Sequence, residues 1–208
     1  MLIGLTGLIG AGKSTAARIL ESFGAVVLDA DEIGREVVEA SLPLRHRLAE
    51  AFGADVLTVD LDLDRKKVAE RAFAGEESRR RLNEIVHPYL LHELDSRMRR
   101  LAKRCPVVVV DAALLTEWRL HQRMDYTIVI DAPEQVRLDR LAARGMAPSE
   151  ARAIERLQPS PQDLRVCADF LVVNDGSTDR LAATLSDIWE MITRSKRGDS
   201  HEEPDTAP

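Results

Sequence analysis

Short runs of apolar residues alternate along the chain with longer segments in which apolar residues recur every three or four positions. The short runs are rich in β-branched residues and lack an alternation of apolar and polar positions, which is typical of central strands in a parallel sheet. The longer segments have helical spacing. The pattern predicts five strands, at residues 2–6, 25–29, 106–111, 126–131 and 169–173. Alternating strands and helices predict an α/β fold, with a five-stranded parallel sheet and helices on both of its faces.

Two of the gaps between predicted strands are longer than a simple crossover. Residues 31–104 have an almost entirely helical pattern and predict a helical subdomain beside the sheet. Residues 133–168 predict a second helical excursion that is rich in arginine. We expect one domain over residues 1–194, with its core in residues 1–30, 105–132 and 169–194. Residues 195–208 show no apolar periodicity and are predicted to form a disordered tail.

The segment Gly7 to Ser14 matches the pattern G-x-x-x-x-G-K-[ST], and it lies between the first predicted strand and a helix. In such a phosphate loop, backbone N–H groups and the positive end of the helix converge on an anion. Lys13 is expected to reach the β- and γ-phosphates, and the Ser14 hydroxyl to bind Mg²⁺. The positions expected to hold the nucleotide are Gly10, Ala11, Gly12, Lys13, Ser14 and Thr15.

Acidic residues follow two of the predicted strands, at the sheet edge that also carries the phosphate loop. Asp29 and Asp31 end the second strand, and a carboxylate there could orient an attacking hydroxyl and accept its proton. Asp31 is the candidate because Asp29 still lies within the strand, where it could instead cap the helix or support Mg²⁺. The alternative is that Asp31 caps a helix over residues 32–39. Asp111 follows four valines and is a candidate to support Mg²⁺ together with Ser14.

Three arginines in the second helical excursion, Arg137, Arg140 and Arg144, are spaced by three and four residues, which predicts that they share one helix face. A mobile segment that carries them could close over a triphosphate and stabilise the charge of the transferred group. The alternative is a solvated basic face that pairs with Glu134 and Asp139.

Composition excludes several other classes of protein. A formal net charge of −6 disfavours binding to nucleic acid through bulk electrostatics. The chain has only two cysteines, no secretory signal and no apolar run near 18 residues, so we expect a cytoplasmic protein that does not enter a membrane. His87 and His92 are five residues apart, which argues against a helical metal site, and His87-Pro88 could be a bend that breaks a helix.

Taken in order, nine pieces of the chain resemble the dephospho-CoA kinase family over about residues 2–185. They are LTGLIGAGKST, FGAVVLDADEIGREVVE, FG at 52–53, LDRKKVAERAF, LNEIVHP, LLTEW, PEQVRLDRLAAR, Gln158 and ADFLVVNDGS. The Asp-Ala-Asp and Leu-Asn-x-x-x-His-Pro pieces are specific to that family among P-loop kinases. The resemblance implies a P-loop NTPase fold with a helical acceptor subdomain and a helical lid. It also implies ATP and Mg²⁺ as cofactors and phosphorylation of the ribose 3′-hydroxyl of dephospho-CoA.

The resemblance also implies roles for individual residues. Asp31 would be the catalytic carboxylate, acting with Lys13 and Arg140. Arg140 and Arg144 match the lid arginines, and Asn174 falls where the adenine is expected to pack. Residues expected to contact or support dephospho-CoA are Asp31, Arg35, Arg65, Asn83 and His87. We expect a monomer or a weak homo-oligomer.

The chain departs from the family pattern at two places. The usual Pro-Leu-Leu-Phe-Glu is replaced by residues 113–117, ALLTE, which changes the local wall of the acceptor site. The segment Thr58 to Asp62 lacks the glycine expected in its turn.

Two other functions would account for part of the same sequence. A different small-molecule kinase, such as a nucleoside or nucleotide kinase, would share the phosphate loop and lid but has no reason to carry the Asp-Ala-Asp and Leu-Asn-x-x-x-His-Pro pieces together. A GTPase switch should show N-K-x-D and D-x-x-G motifs, and neither is found where it is needed.

Overall fold

A computed structural model, which describes residues 1–72 and 74–198, contains a five-stranded sheet at its centre. The strands are β1 (Leu2–Gly7), β2 (Val26–Asp29), β3 (Val108–Asp111), β4 (Tyr126–Asp131) and β5 (Phe170–Val173). Their order in the sheet is β2-β3-β1-β4-β5. Strand β1 pairs in parallel with β3 and with β4, and β4 pairs in parallel with β5. The predicted α/β fold with five parallel strands is confirmed, and each strand lies within two residues of its predicted bounds.

Nine helices accompany the strands in the described part of the chain. They are α1 (Lys13–Ser22), α2 (Ala30–Ala40), α3 (Leu42–Phe52), α4 (Arg65–Ala72), α5 (Glu76–Ala102), α6 (Glu134–Ala142), α7 (Pro148–Glu155), α8 (Pro161–Val166) and α9 (Thr178–Gly198). The chain divides into two compact units, residues 28–103 and the remainder on either side of them. Within residues 1–72 and 74–198, no helix has the length and apolar character needed to cross a membrane.

The sheet is covered because its strands present apolar side chains to both faces. On one face, Ile128 and Ile130 join a core that includes Leu20 of α1 and Leu185 of α9, all fully buried. On the other face, Val129 packs with side chains at the end of α8. Residues of alternating direction in β1, β3 and β4 are therefore buried on either side, which explains why these strands are continuous apolar runs. In β5, at the edge of the sheet, Leu171 and Val173 are exposed.

The unit of residues 28–103 is built from helices with a core of their own. Leu44 and Leu48 of α3 pack with Val68 of α4 and Ile85 of α5, and each of these side chains is buried. The prediction of helical structure between the second and third strands is therefore confirmed. The suggested helix break at His87-Pro88 is wrong, because α5 continues through Pro88 to Ala102.

A tight turn joins Leu57 to Leu63, which form an isolated antiparallel bridge. Thr58 closes the turn by donating its N–H to the carbonyl of Asp62 at 2.8 Å. Leu61 adopts a φ of 62°, a left-handed conformation that suits glycine and that strains a side chain with a Cβ. The missing glycine noted in the sequence is therefore replaced by a strained leucine.

The predicted disordered tail is wrong at its start. The backbone of residues 195–198 forms the last turn of α9, which ends at Gly198. Residues 199–208 lie outside the described part of the chain.

Candidate active site

The phosphate loop, residues 7–14, connects β1 directly to α1. Gly12 precedes the helix with a φ of 102°, and an added Cβ there would collide with the side-chain amide of Asn174, so only glycine fits. Within the described residues, no side chain caps the start of α1. The first N–H groups of the helix are thus left for an anion, as the motif predicts.

Lys13 and Asp111 form an ion pair at the end of β3. Asp111 is only 5% exposed, whereas Ser14 in the next position after Lys13 is exposed. A buried carboxylate paired with the loop lysine holds that lysine beside the loop. The sequence predicted that Lys13 contacts phosphate, and its pairing with Asp111 is an arrangement that sequence reasoning missed.

The side chains predicted to bind Mg²⁺ carry oxygen atoms, which are the ligands that this ion prefers. Mg²⁺ prefers hard oxygen ligands and is usually held by one or two protein oxygens together with substrate phosphates and waters. The Ser14 hydroxyl and the Asp111 carboxylate supply two such oxygens. No group of three or more His, Cys, Asp or Glu side chains in residues 1–72 and 74–198 could hold a metal by itself. A Mg²⁺ ion here would draw its remaining ligands from the nucleotide and water.

The outer side of the phosphate loop is held by two polar side chains. Asn174, at the end of β5 and 7% exposed, donates its amide to the carbonyl of Ala11 at 2.8 Å. Arg140 of α6 donates to the same carbonyl at 3.3 Å and to the Asn174 side-chain oxygen at 3.4 Å. Asn174 therefore supports the loop, and its expected packing against adenine stays a prediction.

The three arginines of the predicted lid differ in environment. Arg140 lies on α6 beside the loop, but α6 ends at Ala142, so Arg144 lies beyond the helix and is exposed. Arg137 is 4% exposed and pairs with Glu155 at 2.7 Å. The prediction that all three share one helix face is wrong, because the helix is too short to include Arg144.

Asp29 and Asp31 lie in different structural environments. The Asp29 carboxylate accepts hydrogen bonds from the N–H groups of Asp31 and Glu32, at 2.8 and 3.0 Å, and so caps α2. The alternative that Asp31 is the cap is wrong. Asp31 lies in the first turn of α2 and is exposed, and no side chain or main chain of the described residues bonds to its carboxylate.

The residues expected to contact the acceptor all lie in the unit of residues 28–103. Arg35 is exposed on α2, and Arg65, at the start of α4, forms an ion pair with Glu39. Asn83 and His87 are one turn apart on α5, which puts them on the same side of that helix. Burial lowers the pKa of His87 below its ordinary value of 6.5, so its imidazole is neutral at pH 7.

A separate groove lies between α2 and α5 within the same unit. Its volume is about 780 Å³, and Val37, Tyr89 and His92 are among the side chains that line it. Arg97 and Glu36 also line the groove and form an ion pair at 2.6 Å. None of the predicted acceptor residues lines this groove, so the structure does not bring them together there.

The altered segment at residues 113–117 is partly buried. Leu115 is fully buried, and the Thr116 hydroxyl is buried without a hydrogen-bond partner in the described part of the chain. A threonine at the position of the family's phenylalanine therefore leaves an unsatisfied polar group.

The chain is similar to known proteins over most of its length. A family model described as dephospho-CoA kinase matches residues 1–180. A dephospho-CoA kinase of Thermobifida fusca is 40% identical over 193 residues, which cover 92% of this chain and 96% of that protein. The crystal structure of TT1252 from Thermus thermophilus has a TM-score of 0.77 and 31% identity, over 92% of this chain and 97% of the other. A dephospho-CoA kinase from Campylobacter jejuni, with a TM-score of 0.72 and 23% identity, shares the fold over 94% of this chain and 98% of its own.

These matches extend over nearly the whole described chain and include both the phosphate loop and the helical unit of residues 28–103. The resemblance found in the sequence motifs, and the P-loop kinase fold that it implies, are confirmed. This chain is a member of the dephospho-CoA kinase family.

Proposed function

We propose that this protein transfers the γ-phosphoryl group of ATP to the ribose 3′-hydroxyl of dephospho-CoA, giving coenzyme A and ADP. The observation that carries the proposal is a phosphate loop with a paired Lys13, in a chain whose family model covers residues 1–180. In the reaction, the 3′-oxygen forms a bond to the γ-phosphorus as the bond to the β-phosphate oxygen breaks. The proton of the hydroxyl must pass to a base.

The donor end of the reaction belongs to the phosphate loop. The uncapped N–H groups at the start of α1 bind the phosphate oxygens, and Lys13 contributes positive charge to the β- and γ-phosphates. Ser14 and Asp111 would hold Mg²⁺, which when bound neutralises charge on the phosphates. Among the lid arginines, Arg140 and Arg144 are proposed to contact the triphosphate, and Asn174 to pack near the adenine.

Asp31 is proposed as the base that orients the 3′-hydroxyl and accepts its proton. Support comes from its exposed carboxylate, which no group of the described chain occupies, and from the Asp-Ala-Asp motif of the family. Because Asp29 caps α2, the helix start is fixed without Asp31, and the second carboxylate is left for chemistry. Phosphoryl transfer depends mostly on positioning, so the contribution of a base is moderate.

The acceptor is proposed to contact Arg35, Arg65, Asn83 and His87. Guanidinium groups suit the pyrophosphate of dephospho-CoA, because they bind phosphate oxygens through pairs of hydrogen bonds. Neutral His87, with Asn83 one turn away, can donate and accept hydrogen bonds to an uncharged part of the acceptor. Arg65 would have to exchange Glu39 for the substrate, which costs little at an exposed pair.

The compartment and the assembly state are also proposals. Cys105 and Cys167 are both free thiols, which fits a reducing cytoplasm. We propose that the enzyme works there as a monomer or a weak homo-oligomer, without nucleic acid or membrane partners.

Release of ADP from ATP, measured with dephospho-CoA, adenosine, AMP and shikimate offered separately, tests the proposal. We expect rapid ADP release with dephospho-CoA and little with the other three acceptors. If adenosine or AMP stimulates ADP release while dephospho-CoA is inert, the chain is a different small-molecule kinase and the proposal is wrong.

A further inference from the structure

Both main-chain polar groups of Ile9, in the first half of the phosphate loop, are bonded to side chains from residues 133–168, the lid segment. The N–H of Ile9 donates to the side-chain oxygen of Gln158 at 2.8 Å. The carbonyl of Ile9 accepts from Arg137 at 3.4 Å, a longer contact. The Gln158 bond is therefore the stronger of the two.

Arg137 reaches the loop from a fixed position. It is 4% exposed, its Nε donates to the carbonyl of Ala132 at 3.1 Å, and its Nη2 pairs with Glu155 at 2.7 Å. Glu155 ends α7 and lies three residues before Gln158. A buried arginine with three separate partners cannot swing toward a triphosphate, so its role differs from that of a mobile lid arginine.

The lid helix α6 also approaches the loop through its backbone. An added Cβ at Gly10, which has a φ of 79°, would lie 2.8 Å from the carbonyl oxygen of Arg137. Gly10 is therefore required for α6 to pack this closely against the loop. This backbone contact is independent of the two hydrogen bonds to Ile9.

A phosphate loop works because its inner N–H groups point at one anion, so the outward-facing groups must be bonded elsewhere. Gln158 takes the N–H of Ile9, and Asn174 with Arg140 takes the carbonyl of Ala11. Fixing the outer groups orders the loop before the nucleotide arrives, and ordering in advance improves affinity.

We propose that Gln158 and Arg137 are positioning residues that hold the phosphate loop in its nucleotide-binding shape through Ile9. Nucleotide affinity then depends on how the lid segment is seated, while affinity for the acceptor does not. The inference rests on the proposed function only in taking the loop to bind the phosphates of a nucleotide.

The test compares Gln158→Met with Gln135→Met, in the full-length protein. Methionine has nearly the length of glutamine but accepts no strong hydrogen bond, so the first change removes the bond to Ile9. Gln135 lies in the same lid segment and is exposed, and among described residues its side chain bonds only to Asp139, so it controls for the substitution itself. The readouts are the Kd of Mg-ADP by calorimetry, the KM of ATP and of dephospho-CoA, and the Tm.

We expect Gln158→Met to weaken ADP binding about tenfold, the size expected for one lost hydrogen bond, and to raise the KM of ATP by a similar factor. The KM of dephospho-CoA and the properties of Gln135→Met should stay within twofold of the wild type. ADP binding by Gln158→Met within twofold of the wild type, or an equal rise in both KM values, would overturn the proposal.

Amide hydrogen exchange of the wild type provides a second test that needs no variant. The Ile9 amide should exchange as slowly as amides of β1, because Gln158 holds its proton. Exchange at the rate of an exposed loop amide would also overturn the proposal. If the wild type binds ADP but does not phosphorylate dephospho-CoA, the proposed function fails, whereas the ADP and exchange results still decide the role of Gln158.

Discussion

At the scale of single residues, Asp29 and Asp31 are neighbouring acids whose carboxylates have different environments. Asp29 is the last residue of β2 and Asp31 lies two residues later, and the sequence alone leaves open which one caps the helix. The structure assigns the cap to Asp29 through two hydrogen bonds to the first turn of α2. Asp31 keeps an exposed carboxylate, which leaves it accessible to the hydroxyl that it is proposed to orient.

Asp31→Asn tests this division of tasks. We expect turnover to fall by about 10²-fold, because the amide cannot accept the proton of the 3′-hydroxyl. ADP binding should be unchanged, since the phosphate loop is intact. Glu32→Gln is the matched control, because it removes another exposed acid from the same helical turn and should retain turnover within about twofold. Unchanged turnover in Asp31→Asn would show that Asp31 is not the catalytic base.

Leu61 presents a strain that can be relieved. Its φ of 62° costs a residue with a Cβ about 1–2 kcal/mol, and glycine adopts this conformation freely. We expect Leu61→Gly to raise the free energy of unfolding by about 1 kcal/mol in urea titrations. Val59 is fully exposed in the same turn with a negative φ, so Val59→Gly should instead lower stability slightly. A loss of stability in Leu61→Gly would show that its side-chain contacts outweigh the strain.

The burial of His87 makes the stability of the folded protein depend on pH. Its pKa is lower in the folded protein than the ordinary value of 6.5, so the unfolded chain binds a proton more readily. The stability contributed by neutral His87 is therefore complete above pH 6.5 and is lost as the pH falls through the lowered pKa. We expect His87→Gln to lose less stability than the wild type between pH 7 and pH 5, measured by urea unfolding. Parallel pH profiles would contradict the effect of burial.

At the scale of elements, α5 is where pattern and structure differ most instructively. A His-Pro pair usually favours the end of a helix, because proline lacks an N–H and its ring crowds the preceding turn. Here α5 runs for 27 residues with Pro88 inside it, since Ile85, Leu90 and Leu94 on both sides of the proline are buried. Tertiary packing therefore overrides the local preference.

Pro88→Ala measures what this proline costs. Alanine restores a backbone N–H that can bond to the carbonyl of Glu84 and removes the ring, so we expect the free energy of unfolding to rise by about 1–3 kcal/mol. Pro161 stands at the first position of α8, where no hydrogen bond is lost, and Pro161→Ala should change stability by less than about 0.5 kcal/mol. Equal effects of the two substitutions would mean that α5 tolerates the proline without cost.

Elements differ in how far the sequence predicts them, and the reasons are physical. Strands β1, β3 and β4 were predictable because a strand buried on both faces must be apolar throughout. The phosphate loop was predictable because its glycines and lysine have fixed spacing. The length of α6 was not predictable, because the spacing of Arg144 is helical although the helix ends at Ala142. The pairing of Lys13 with Asp111 joins residues 98 positions apart, and no local pattern reports such a contact.

At the scale of the whole molecule, the residues proposed for the nucleotide and those proposed for the acceptor fall in different units of the chain. The phosphate loop, Asp111 and the lid segment belong to the unit that contains most of the sheet, and Asp31 with the proposed acceptor residues belongs to residues 28–103. The motifs predicted this organisation because the family's pieces occur in order along the chain. The bonds of Gln158 and Arg137 to Ile9 could be found only in three dimensions, since they join residues more than 120 positions apart.

The position of the transferred phosphoryl group tests the central claim most directly. The wild-type protein is incubated with dephospho-CoA and with ATP labelled in its γ-phosphoryl group, and the product is identified by phosphorus NMR and mass spectrometry. We expect one labelled phosphate monoester on the ribose 3′-oxygen for each ADP released. Label that appears only as inorganic phosphate, or on another hydroxyl of the acceptor, would contradict the assignment of this chain as the kinase that completes coenzyme A.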